Sequence, residues 1–116
     1  PAAPAGPDKA ALMTRGADVY AKICAPCHQA TGKGIPGAFP PLAGSGAFYG
    51  SPQKHAGIII NGLSGPITVQ GQAFNGAMPP QGSLSDLDIA AVATYVRNSW
   101  GNADGIVTPA DVAAAR

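Results

Sequence analysis

Both cysteines of this 116-residue chain fall in one short stretch, Ile23-Cys24-Ala25-Pro26-Cys27-His28-Gln29, with a histidine directly behind the second. Four chemistries use such a stretch. A structural zinc site takes four ligands, normally as two pairs, and the only other histidine is the isolated His55. A thioredoxin-like dithiol follows a strand in a parallel sheet, and no such strand is visible before Cys24. A lone Cys24–Cys27 disulfide closes a loop too short to stabilise much. Covalent haem attachment, Cys-x-x-Cys-His, fits best: two thioethers fix the porphyrin edge, and the next residue places His28 under the iron. That reading constrains the fold more than any other feature, because the chain must then close around a large, rigid, apolar disc.

The side chains themselves offer a thin core. Aromatic residues are scarce, with three Phe, three Tyr and one Trp, and much of the apolar content is alanine. Sixteen Gly and twelve Pro imply long turns and loops. A small, loop-rich single domain of this length needs a staple, a metal or a cofactor, and a buried haem gives Ala, Val, Ile and Pro something to pack on. The chain without its cofactor is therefore expected to be largely unfolded. The formal charge is +1, from seven Lys and Arg against six Asp and no Glu. The basic residues are scattered, with no run of the kind that binds nucleic acid or an anionic membrane. No apolar stretch approaches the length of a membrane span. A start at Pro1 reads as a processed mature chain or a piece of something longer.

Along the chain, Pro1 to Pro7 is a Pro/Ala spacer or tether, and residues 8–116 form the folded domain. A helix from about Asp8 carries Leu12, Gly16, Val19, Tyr20 and Ile23 at helical spacing and runs into the cysteine segment. Thr31 to Gly50 reads as loop. Ser51-Pro52 opens a short helix with Ile58 and Ile59 that ends at Asn61-Gly62. The stretch around Gln70-Gly71 alternates as a small hairpin, and "NGAMPPQG" is too rich in Gly and Pro for regular structure. A second strong helix starts at Ser85, with Asp88 three residues on and a stripe of Ile89, Val92, Val96 and Trp100 beside Tyr95. Thr108-Pro109 begins a last helical turn.

The second axial ligand decides what a haem protein does. Met78 leads, because a Pro/Gly-rich loop can hold its thioether rigidly. Met13 lies eleven residues before Cys24, about 16 Å along a helix, too far for an axial position. His55 could give a bis-histidine haem, but it sits beside Lys54 on the short helix, which suggests a solvated or capping side chain instead.

With "CAPCH", then "FPPLAGS", then "GAMPPQG", the chain resembles the class I bacterial cytochromes c over nearly all of its length after the spacer. The resemblance implies a small all-α fold with long Gly/Pro loops and a possible small hairpin, in which the N- and C-terminal helices cross near the haem. Gly16, Tyr20, Val92 and Tyr95 match the residues that meet at this crossing. Pro40, twelve residues after His28, matches a proline whose carbonyl accepts the proximal histidine's other N–H, and Leu42 matches the apolar position two residues on. The lysine-rich face of the mitochondrial proteins is absent, and so is their tryptophan in the propionate region; Trp100 stands at the end of the last long helix. The closest likeness is to haem c domains that accompany periplasmic redox enzymes, among them domains tethered to copper nitrite reductases and those serving terminal oxidases.

The implied function is single-electron transfer between periplasmic redox partners, without catalysis by the chain itself. Cys24 and Cys27 would carry haem c, and His28 and Met78 would ligate its iron. Two ionised propionates would bring the +1 chain to about −1 in the ferrous form and about zero in the ferric form, so steering should be weak. Docking is expected at a shallow apolar patch of Ala25, Pro26, Ile35, Pro36, Ala77, Pro79 and Pro80 on a monomeric domain. A freestanding carrier is the first expectation. A haem domain of a larger oxidoreductase comes next, favoured by the Pro/Ala tether, and a ligand-binding sensor or peroxidase is the remote third.

Overall fold

The computed structural model describes residues 8–116, with residues 47 and 48 described in their backbone alone. The spacer expected over residues 1–7 lies outside them. Helix α1 spans Lys9–Val19, where the Asp8 carboxylate caps the first turn by accepting from the Ala11 N–H at 2.8 Å. Its inward stripe is Leu12, Gly16 and Val19, all buried. Helix α5, Asp86–Arg97, starts where the Ser85 hydroxyl accepts from the Asp88 N–H at 3.1 Å.

Among the described residues these two helices make the most extensive contact between elements, and Gly16 is the reason they come so close. A Cβ there would overlap the Ala91 carbonyl and lie 2.7 Å from Tyr95 Cβ. Tyr95 stands where the expected crossing put it, but Ala91 rather than Val92 meets the glycine. Val92 turns instead toward an apolar cavity on the other side of α5.

Beyond Val19 the helix does not continue in regular form. Tyr20–Cys24 is one π-helical turn, closed by the Ala25 N–H bonding to the Tyr20 carbonyl. Such a turn inserts one residue and re-aims the side chains after it. The next element, α2, is the single turn Ala25–His28. The Tyr20 hydroxyl donates to the Gln29 carbonyl at 2.6 Å, tying the exit of this turn back to its entrance.

The loop after α2 is pinned by Trp100. Its indole N–H donates to the Ala30 carbonyl at 2.9 Å, and its ring lies 5.1 Å from that of Tyr20 and 5.8 Å from that of Tyr95. Trp100 does not extend the α5 stripe, as its spacing suggested: the helix ends at Arg97, and Trp100 sits in the following turn with φ +54°. Leaving the helix lets the indole reach back over the loop.

A short helix α3, Gly46–Tyr49, precedes α4, Pro52–Asn61, whose first turn is capped by the Ser51 hydroxyl accepting from the Lys54 N–H. Gly62 ends α4 with φ +69°. A side chain there would overlap the Met78 carbonyl, so this glycine also lets the helix end run beneath Met78.

Strands β1, Leu63–Val69, and β2, Gln72–Met78, form an antiparallel hairpin around Gln70-Gly71. The sheet is larger than the sequence suggested, because Asn75–Met78 is strand and not irregular loop. Pairing with Leu63–Pro66 satisfies the backbone that its Gly-rich composition left unassigned. The fold is thus mainly helical with one small sheet. Finally α6, Pro109–Ala115, opens with a reciprocal capping box between Thr108 and Asp111 and packs on α4 and α5.

Candidate functional site

The hairpin, α2, the loop over residues 38–45, α4 and α5 enclose a mainly apolar cavity of about 240 Å³. Cys24, Cys27, His28, Pro40, Leu42 and Met78 all line it. The structure thus brings together six residues that span more than fifty positions of sequence.

The cysteine segment reaches the cavity by helical geometry. Cys24 and Cys27 are three residues apart, and Cys24 and His28 four, so the turn presents all three on one side. Burial, then the neighbouring Cys27, pushes the Cys24 thiol up to about 11. This is the opposite of the electropositive setting that activates a redox dithiol. Among the described residues no group of three or more His, Cys, Asp or Glu side chains could hold a metal ion, so the zinc reading finds no ligand set either.

His28 is buried, and its Nδ1 lies 2.8 Å from the Pro40 carbonyl oxygen. A carbonyl only accepts, so this bond puts the ring proton on Nδ1 and leaves Nε2 with a free lone pair. Burial lowers the histidine's pKa, while the Pro40 bond opposes that shift. The ring is therefore an imidazole whose orientation and tautomer the Pro40 carbonyl fixes, with Nε2 left available.

Met78 arrives from the other wall. In the hairpin register Leu63 pairs with Met78, Gly65 with Gly76, and Ile67 with Phe74. Side chains alternate across a strand, so these pairs share one face, and all six residues line the cavity. Pro79-Pro80 then stops the strand behind Met78. Met13 is half-buried on α1 and is not part of the cavity wall.

The Gly65/Gly76 pair leaves room in the wall. A Cβ at either position would meet nothing within 4 Å. An apolar chamber with two thiols, an oriented imidazole and a thioether at its walls, and with space reserved by paired glycines, fits a flat apolar cofactor attached through sulfur.

One expectation fails. His55 is neither solvated nor a cap: it is 4% exposed, stacked on Tyr49 at 4.3 Å between ring centroids and 11° between planes. Burial, then the adjacent Arg97, lowers its pKa to about 3. The signal was present in the sequence, because His55 precedes Ile59 by one helical turn on the buried face of α4. Tyr49 and Arg97, which complete this cluster, come from separate elements and carry no local signature. At the surface, Pro26, Ile35, Pro36, Ala77, Pro79 and Pro80 are exposed, and Ala25 is half-buried.

The sequence profile of the cytochrome c family matches residues 13–100. Cytochrome c-552 of Thermus thermophilus is 45% identical over 92 residues, covering 76% of this chain and 70% of that protein. The cytochrome c subunit of the quinone alcohol dehydrogenase of Gluconacetobacter polyoxogenes is 43% identical over 101 residues. That match covers 84% of this chain but only 21% of the subunit. The gluconate 2-dehydrogenase cytochrome c subunit of Pantoea cypripedii is 36% identical over 104 residues, covering 87% of this chain and 24% of the subunit. The chain therefore spans most of a small cytochrome and under a quarter of these dehydrogenase subunits. It belongs to the cytochrome c family, as an electron-transfer protein with covalently attached haem c.

Proposed function

We propose that this chain is the haem c module of a periplasmic oxidoreductase system, passing single electrons with His28 and Met78 as the iron ligands. Cys24 and Cys27 would form the thioethers. The observation that carries the reading is the convergence of Cys24, Cys27, His28 and Met78 on one buried apolar cavity. When bound, the haem supplies the one-electron chemistry.

The chain's own residues do the rest. Pro40 holds the His28 ring in the tautomer whose Nε2 can bind iron. The end of β2 and the Pro79-Pro80 step carry the Met78 thioether on a rigid support. Neutral imidazole and neutral thioether add no charge to the centre, which favours its reduced form. Held by both His28 and Met78, the iron would offer no site to oxygen or peroxide. The apolar walls would keep water from the group they enclose, so that little would have to reorganise when its charge changes.

The setting is inferred from the relatives. Similarity to cytochrome subunits of alcohol and gluconate dehydrogenases favours a module that relays electrons from a dehydrogenase over one serving a copper nitrite reductase. A freestanding carrier is the second reading, favoured by the match to most of a small cytochrome. Thioether-linked haem is assembled outside the bacterial cytoplasm, which supports a periplasmic setting for either one. No helix among the described residues is long and apolar enough to cross a membrane.

Carbon monoxide uptake by the ferrous protein tests the ligation. The wild type should bind it slowly or not at all, and Met78→Ala should bind it readily. Rapid uptake by the wild type would mean an open position and a ligand-binding protein. The mass of the full-length gene product then separates a module of a larger protein from a carrier of this size.

A further inference from the structure

Four deeply buried polar side chains line the cavity: His28, Ser45, Tyr49 and His55. Three are committed elsewhere. His28 Nδ1 bonds to the Pro40 carbonyl, the Ser45 hydroxyl donates to the Pro41 carbonyl at 2.5 Å, and the Tyr49 hydroxyl donates to the Asp104 carboxylate at 2.6 Å. His55 differs. Its Nδ1 lies 3.4 Å from Arg97 Nη1, and a guanidinium can only donate. The imidazole proton must therefore sit on Nε2, for which the structure gives no acceptor among the described residues. Stacking on Tyr49 fixes the ring in its plane.

Arg97 behind it is also unusual. It is 6% exposed, and its guanidinium donates to the carbonyls of Asp104 at 3.1 Å and Gly50 at 2.9 Å while lying over the Tyr49 ring, 5.2 Å from the centroid. Among the described residues no carboxylate comes within ion-pair distance of it. Asp104 directs its side chain to the Tyr49 hydroxyl instead. A buried cation is costly unless an anion accompanies it. A haem is an apolar disc with two carboxylate side chains, and these are its acceptors for such a donor.

We propose that the Arg97–His55 pair receives one haem propionate, with His55 Nε2–H donating to the carboxylate and Arg97 holding the imidazole tautomer from behind. This role for His55 rests on the cavity being the haem site. His55 is then a positioning residue: it fixes the rotation of the haem about its thioether edge and orders one propionate while the other takes different partners. Among the described residues, Arg97 lies against this imidazole and Tyr49 stacks on it, with the Asp104 carboxylate accepting from the Tyr49 hydroxyl.

The test uses the haem-loaded protein. In the resonance Raman spectrum of the ferrous form, the bending bands of the two propionates report their hydrogen bonds separately. His55→Leu should move one band to lower frequency and leave the other, and His55→Gln, which keeps an N–H donor, should restore part of the shift. If neither band moves in His55→Leu, the assignment is overturned. A direct reading needs no variant: nitrogen NMR of the wild-type holoprotein should show the His55 proton on Nε2 and exchanging slowly with water. A proton on Nδ1, or exchange as fast as for an exposed imidazole, overturns it as well. The far-red sulfur-to-iron band reports Met78 separately. Its absence together with a shifted propionate band overturns the ligation reading alone, and its presence with unmoved bands overturns the His55 assignment alone.

Discussion

The two sides of this domain are held together by different means. Where α1 crosses α5, protein packs on protein: Leu12, Ile89, Ala90, Ala91 and Ala93 are completely buried, and Gly16 admits the Ala91 backbone with no space to spare. Across the molecule, the hairpin and the loop over residues 38–45 stand around a chamber, and the paired glycines of the hairpin face open space. One side is closed by complementary side chains; the other stands around the space for the group it would enclose. A short chain poor in large apolar residues would keep a single structure if the cofactor supplies part of its core.

The largest expected effect comes from removing that contribution. Protein in which Cys24→Ala and Cys27→Ala prevent attachment should lose its cooperative thermal transition, with residual helicity confined to the α1/α5 sequences. Circular dichroism and calorimetry read this directly, and a native-like melt would erase the contrast between the two sides.

Second in size is the crossing itself. Gly16→Val forces a branched side chain into the Ala91 carbonyl and should cost about 3 kcal/mol in the holoprotein by denaturant titration. An unchanged midpoint would mean the helices can part without penalty.

A smaller loss is expected from Thr94→Val. The buried Thr94 hydroxyl both donates to the Val107 carbonyl and accepts from its N–H, at 3.2 and 2.9 Å, so both backbone groups lose their partner. The expected cost is about 2 kcal/mol.

Tyr20→Phe removes only the bond to the Gln29 carbonyl, at about 1 kcal/mol, because the ring keeps its aromatic neighbours. The haem spectrum should be unaltered, which separates scaffold from site.

The smallest effect is on docking. With a formal charge of +1 and exposed Pro and Ala around the cavity, electron-transfer rates with the natural partner should change little between low and moderate salt. A steep fall in stopped-flow measurements would reveal a charged docking surface.

How much the sequence disclosed depends on the range of the interactions involved. Ser51, Ser85 and Thr108 announce helix starts because a cap is settled within three residues. Gln70-Gly71 announces the hairpin because a turn is equally local. The six cavity residues were legible through motif spacing and the family resemblance, and the structure places them on one chamber. The π-helical turn at Tyr20–Cys24 was not legible, since its residues have ordinary helical character. The same holds for His55, Tyr49 and Arg97. Their meeting depends on how α3, α4 and α5 converge, and the lysine beside His55 concealed the buried side of the helix. Trp100 misled for a related reason: its spacing continued the α5 stripe, but its partners Tyr20 and Ala30 lie on the far side of the helix end.

His28 and Met78, fifty residues apart in sequence, line one chamber, where both would ligate the haem iron. The most direct measurement is the optical spectrum of the ferric protein in the far red, recorded for the wild type and for Met78→Ala. A weak sulfur-to-iron charge-transfer band present in the first and missing from the second is the predicted result. A wild-type spectrum without the band, or a band that survives the loss of Met78, would contradict the account.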